Sequence, residues 1–172
     1  MAKTNSDLLN DFVSSKNRHE VNDIMRFYAD NITGKLAGIW LKNGKIAMQG
    51  VTEWEAMMNP IYKISHTMLL KDTARCRLVE SNEWLRLMGI ESIVYEPFLI
   101  TVKDDRITAI NTEFAIDSFK KYQNAWTTII DWIHENHPEQ HANFFVNDTF
   151  NYCRTTARQW LDLVKEYQKT AR

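Results

Sequence analysis

Cysteine, proline and glycine are scarce in this 172-residue chain, at two, three and five residues. Two thiols cannot build the disulfide framework of a small secreted domain. Cys76 and Cys153 are therefore expected as reduced, small apolar residues in a cytoplasmic setting. So few glycines and prolines exclude collagen-like and linker-like segments. Charge of one sign is also missing. The 21 Lys+Arg against 22 Asp+Glu leave a net charge of −1, so a nucleic-acid backbone finds no basic face. Apolar runs such as Met68–Leu70 and Pro97–Ile100 are too short to span a bilayer, and Met1 to Asp7 lack the apolar stretch of a secretory leader.

What is present is ordinary globular material, 44% apolar and 12% aromatic. A chain of this length buries about 70% of its unfolded surface and needs no metal to hold a core. Leu8, Leu9, Phe12 and Val13 predict a first helix, and Val21, Ile24, Met25 and Tyr28 a second, capped by Asn17 and ending near Asn31. Asn43-Gly44 between Leu36–Leu41 and Ile46–Met48 predicts a hairpin, because both central residues tolerate positive φ. A short helix follows with Trp54, Met57, Met58 and Ile61 on one face, ended or kinked by Pro60.

Three long strands are expected next, over 66–79, 84–102 and 106–117, with a bulge or bend at Gly89. Trp126, Ile129, Ile130 and Ile133 predict one further helix, and Cys153, Ala157, Trp160, Leu161 and Val164 another. Bent strands curl a sheet, and helices on its concave side leave a cavity.

Three motifs carry a resemblance. Phe27-Tyr28-Ala29-Asp30-Asn31 looks like an aromatic-Ala-Asp-Asp helix ending. Gly50-Val51-Thr52-Glu53-Trp54 looks like a third-helix start. Val102 to Ile110, followed by Glu113-Phe114 and Asp117, looks like a final hairpin and strand. In this order, over residues 6 to 118, they resemble the nuclear transport factor 2-like (NTF2-like) superfamily, SnoaL-like proteins included. The resemblance implies an α+β, cone-shaped, cystatin-like roll, a curved antiparallel sheet with helices on its concave face. It assigns residues 1–120 to this domain and 121–172 to a helical C-terminal extension packed on it. It also implies a conical pocket, often in a homodimer. The superfamily mixes isomerases, dehydratases, epoxide hydrolases, cyclases and non-catalytic binders, so the site must choose the function.

Acid–base work needs a titratable group in an apolar pocket, where desolvation moves its pKa toward neutrality. His66, at a strand start, is one candidate; its ordinary alternative is a half-exposed histidine. Glu91 and Tyr95 share a side if the strand between them is regular, and would pair a carboxylate with a phenol. Glu113 serves if its face lines the cavity, and is simple alternation if it faces water. Tyr28, Trp40, Trp54, Met58 and Trp84 are the candidate ligand wall, or else core packing.

Against the resembled enzymes, residues 34–40 carry no acid, His66 has no histidine partner, and Arg86 has no identifiable acidic pair. No metal site is expected from His134, His137 and His141, because Pro138 interrupts their helix. No cofactor is expected. The expected function is binding of a small apolar molecule, with acid–base catalysis of isomerase, dehydratase or cyclase type if the protein is an enzyme. The alternative is a non-catalytic binding or association module served by the aromatic tail.

Overall fold

The computed structural model describes residues 5–170. The apolar stripe Leu8, Leu9, Phe12, Val13 is the buried face of helix α1 (Asn5–Asn17). The short α2 (Val21–Arg26) is preceded by Glu20 at its N-cap, not by Asn17. Strand β1 (Tyr28–Leu36) starts almost at once, so Tyr28 to Asn31 are strand and not a helix end.

The expected hairpin exists with a different turn. β1 joins β2 (Trp40–Asn43) through Ala37-Gly38-Ile39, where Gly38 adopts φ +78° and the Ile39 N–H donates to the Leu36 carbonyl at 2.9 Å. Asn43-Gly44 instead ends β2, and Gly44 at φ +87° is the N-cap of α3 (Lys45–Met57). The helical spacing of Met48, Val51, Thr52 and Glu55 prevails there. Burying that stripe claims Ile46–Met48 for the helix and leaves Ile46 itself exposed.

The remaining strands are β3 (Ile61–Leu70), β4 (Thr73–Ser81), β5 (Ile93–Lys103) and β6 (Arg106–Phe114). They form one sheet in the order β2-β1-β6-β5-β4-β3, antiparallel except for the parallel pair β1/β6. Pairing slips between Ser65 and Met68 on β3, Cys76 and Leu78 on β4, and Tyr95 and Phe98 on β5. These irregularities are neighbours across three strands and form a line along which the sheet bends. The break on β5 falls at Glu96-Pro97, where proline has no N–H to give the ladder.

The long middle segment is not one strand. Residues 83–87 are helix α4 (Glu83–Leu87), started by the Asn82 side chain, which accepts from the Leu85 N–H at 3.0 Å. Gly89, at φ +76°, follows its C-terminal end, and the Ile90 N–H returns to the Leu85 carbonyl at 2.8 Å. Gly89 is thus a helix terminator, not a strand bulge.

After β6 the chain turns directly into α5 (Ile116–Asn136); Ile116 and Asp117, expected as strand, are helical. Pro138 opens α6 (Pro138–Asn143). A two-stranded ribbon, β7 (Phe145–Val146) and β8 (Thr149–Phe150), and α7 (Arg154–Thr170) complete the described chain. α7 packs on α3, α4 and α5. Gly50 on α3 has the Tyr152 carbonyl so close that an added Cβ would lie 2.3 Å from it. This glycine lets the segment before α7 rest on α3.

The aromatic tail is spent inside the molecule. Trp160 and Phe144 are fully buried, and Trp160 stacks on Trp126 at 4.5 Å between ring centroids. No helix among the described residues is long and apolar enough to cross a membrane.

Candidate active site

The sheet's inner face is a period-2 stripe on β4: Ala74, Cys76, Leu78 and Glu80 are all buried. The last member is a carboxylate. Burial pushes the Cys76 thiol up to about 11, as expected of an inert buried thiol. Glu80 lies opposite Ile93 of β5, and Tyr95 is its diagonal neighbour on that strand. The Tyr95 hydroxyl donates to Glu80 Oε2 at 2.7 Å, and Asn82 Nδ2 donates to Oε1 at 2.8 Å. Asn82 therefore holds the carboxylate with its amide nitrogen and caps α4 with its oxygen.

Two more ionisable groups join from the helices. Lys16 continues the α1 stripe Leu9, Phe12, Val13 at the i+7 position. Glu55 holds the same place on the α3 stripe Met48, Val51, Thr52. The two form an ion pair. The Lys16 ammonium also lies 4.8 Å from the Tyr62 ring centroid and 5.7 Å from that of Phe12.

These groups border a divided hollow between the curved sheet and α1 and α3. One compartment has Lys16, Tyr28, Tyr62 and Thr112 among its lining, the other Trp54, Trp84, Asn82 and Tyr152; Trp40, Glu55, Glu80 and Tyr95 border both. Each has a free volume of about 40 Å³. That is room for roughly three water molecules apiece.

At Glu80, burial without a contacting counter-charge governs the electrostatics. Desolvation, then the charge of Glu55, raise the Glu80 carboxyl above its ordinary pKa; the bonds from Asn82 and Tyr95 and the charge of Lys16 pull the other way and do not prevail. Burial acts against the Lys16 ammonium, but Glu55 and its other neighbours outweigh it, so Lys16 titrates above its ordinary value. Burial holds the phenols of Tyr62, Tyr95 and Tyr122 well above theirs, so they stay protonated donors.

The Glu80 shift sets a sign. The folded chain keeps a proton that the unfolded chain has released. This contribution to stability is full below the unfolded value of about 4.3 and is lost as pH rises through the raised folded value. The expected result is a wild-type unfolding free energy that falls relative to Glu80→Gln from about pH 4.3 upward. Parallel pH profiles for the two proteins would count against it.

Of the residues singled out from sequence, Tyr28, Trp40, Trp54, Met58, Trp84 and Tyr95 line the hollow. Three do not reach it. His66 sits in the bulge of edge strand β3 at φ +52°, exposed, with its Nδ1 3.3 Å from Ser65 Oγ. The bulge that bends the sheet turns its side chain outward. Glu91 is exposed in the connection from α4 to β5, so no regular strand links it to Tyr95. Glu113 lies on the water-facing side of β6, because Ile110 and Thr112 occupy the inner side.

The groups that reasoning missed are Lys16, Glu55 and Glu80. A signal was present: each occupies an inward position of an apolar pattern, which a solvated side chain does not need. His134 and His141 approach to 4.7 Å between centroids while His137 bonds Glu166 at 3.1 Å, and no group of three or more potential metal ligands occurs among the described residues.

No protein-family model matches this sequence, and no curated protein sequence does. Solved structures do match. An NTF2-like protein of unknown function from Cytophaga hutchinsonii aligns with a TM-score of 0.56 at 12% identity, over 70% of this chain and 97% of its own. An epoxide hydrolase/cyclase-like enzyme with a role in pyran ring formation in the polyether salinomycin gives 0.58 at 11%, over 66% and 92%. An LEH-like epoxide hydrolase from M. tuberculosis gives 0.55 at 13%, over 72% and 92%. At such identities the likeness establishes the fold and leaves the chemistry to the residues.

Proposed function

We propose that this chain, which has the nuclear transport factor 2-like fold, transfers protons on a small, largely apolar molecule held in its hollow, with Glu80 as the acid–base group. The observation that carries this reading is the Glu80 carboxyl, buried at the border of both compartments and held by Tyr95 and Asn82. A carboxyl raised toward working pH is both a stronger base when ionised and a usable acid when protonated. Tyr95 remains a hydrogen-bond donor to the ionised form and fixes its orientation.

Trp40, Trp54, Met58 and Trp84 form wall for an apolar body. Isomerisation, dehydration and cyclisation share the step such a group performs, removal or delivery of a proton at one carbon or oxygen. The epoxide hydrolase/cyclase-like neighbours are compatible with this chemistry class. Two free thiols, Cys76 and Cys153, support a reducing, cytoplasmic setting.

The test is deuterium exchange at the acidic C–H positions of butanone in D2O, followed by proton NMR. Wild type should accelerate exchange over buffer, and Glu80→Gln should lose about a hundredfold of that acceleration while remaining folded. Exchange no faster than buffer, together with a Glu80 carboxyl that titrates in the ordinary range, would remove the reading.

Association is a second proposal, carried by a different surface from the aromatic tail. Edge strand β3 exposes Ile61, Met68, Leu69 and Leu70. An edge strand with bare apolar side chains and unpaired backbone groups is a template for another chain. We propose a homodimer through this edge. Light scattering should give twice the chain mass for wild type and the chain mass for Met68→Lys/Leu70→Lys; a wild-type monomer at high concentration would falsify it.

A further inference from the structure

We infer that the molecule held beside Glu80 is a small organic cation, a short-chain amine bound as its ammonium ion. This rests on the placement of Glu80 just proposed and names the ligand class for that site. The compartment that contains Asn82 carries it. Two carboxylates, Glu55 and Glu80, border it, and among the described residues that line it there is no lysine, arginine or histidine. Six aromatic side chains, Trp40, Trp54, Trp84, Tyr95, Tyr122 and Tyr152, share its walls with a few aliphatic ones and Asn82. Trp54 meets Tyr152 edge to face at 5.4 Å, and Trp84 meets Tyr122 at 5.5 Å, so the rings brace one another.

Rings with negative faces together with desolvated carboxylates form the chemistry that recognises alkylammonium ions. An anion would meet two acids here. A neutral molecule suits protonated Glu80, whereas a cation is favoured once Glu80 ionises.

The neighbouring compartment already uses this chemistry on the chain's own cation. The Lys16 ammonium rests against the rings of Tyr62 and Phe12 with Glu55 as counter-ion. That leaves one lysine for two carboxylates, and Glu55 acts on Glu80 more strongly than Lys16 does. The unbalanced charge in the hollow is negative once Glu80 ionises. The free volume of about 40 Å³ limits the ligand to an ammonium centre with one or two small substituents.

The probe is methylammonium chloride, compared with methanol, which has nearly the same size and no charge. Sodium chloride at equal ionic strength is the control. Binding is read from indole N–H and glutamate carboxyl NMR shifts. The cation is expected to bind about tenfold tighter than the alcohol, and Glu80→Gln should erase most of that preference.

The cation's affinity should rise with pH as Glu80 loses its proton, while that of the alcohol stays flat. The groups that face Glu80 during this titration are Glu55, Lys16, Tyr62, Tyr95 and Tyr122. The tyrosines and Lys16 hold their protons across it. If Glu80→Gln does not fold, the wild-type pH dependence decides.

Equal affinity for cation and alcohol, or a cation preference indifferent to both pH and the substitution, overturns the inference. A high Glu80 pKa without cation preference would end the inference and keep the acid–base reading. An ordinary Glu80 pKa with the preference intact would do the reverse.

Discussion

Trp160→Ala should lower the unfolding free energy by about 3–5 kcal/mol, the range for emptying a large aromatic site in a core. Trp160 is fully buried on α7. Its ring stacks on Trp126 and stands edge to face against Trp84, Phe144 and Phe150, at 5.6, 5.9 and 6.1 Å between centroids. Rings packed on several sides cannot collapse into the space left behind, so most of the cavity should persist. Such pairs also contribute about 0.5–1.5 kcal/mol each beyond area burial.

Trp160→Phe sharpens the prediction. The indole N–H finds no hydrogen-bond partner among the described residues. Removing an unmatched buried donor recovers about 1–3 kcal/mol of desolvation, which offsets part of the lost volume. Phenylalanine should therefore cost less than about 2 kcal/mol. Chemical denaturation of both variants checks this. An alanine variant within about 1 kcal/mol of wild type would mean that the aromatic cluster is not packed as described.

The second large effect is at Lys16 and Glu55. Lys16→Met should destabilise the protein by about 3 kcal/mol. It strands a partly buried carboxylate that acts on Glu80. The figure lies at the low end for a broken buried pair because 29% of the Glu55 side chain remains exposed. Lys16→Met/Glu55→Met should recover most of the loss, because a matched apolar pair carries no desolvation penalty. The double-mutant cycle is the measurement. Additive losses would show that the two side chains do not interact.

Much of the fold was legible because burial imposes a period. The α1 stripe at Leu8, Leu9, Phe12 and Val13 and the β6 alternation at Ile110 and Thr112 both appear as the spacing requires. Boundaries were lost where two local signals competed. Gly38 and Gly44 both offer the positive φ that a turn needs, and only the packing of α3 on the sheet decided which one closes the hairpin. Trp84 to Leu87 suit a strand as well as a helix; Asn82 and Gly89 made them α4 by satisfying its two ends.

The site was legible in its walls and not in its charges. Tyr28, Trp40, Trp54 and Tyr95 are large and amphipathic, types that gather at hollows wherever the backbone goes. Glu91 and Glu113 are the same chemical type as Glu55 and Glu80, and only the apolar pattern around Lys16, Glu55 and Glu80 separates the two sets along the chain.

The residues alone determined an α+β chain with an apolar inner face, because periodicity and turn chemistry act over a few neighbours at a time. Tertiary structure alone decided which ionisable groups share the hollow. Lys16, Glu55 and Glu80 come from α1, α3 and β4, far apart along the chain. Only the bend of the sheet across β3, β4 and β5, with α1 and α3 laid into it, brings their fields together. Coulombic coupling and desolvation depend on distance in space, which no local pattern encodes.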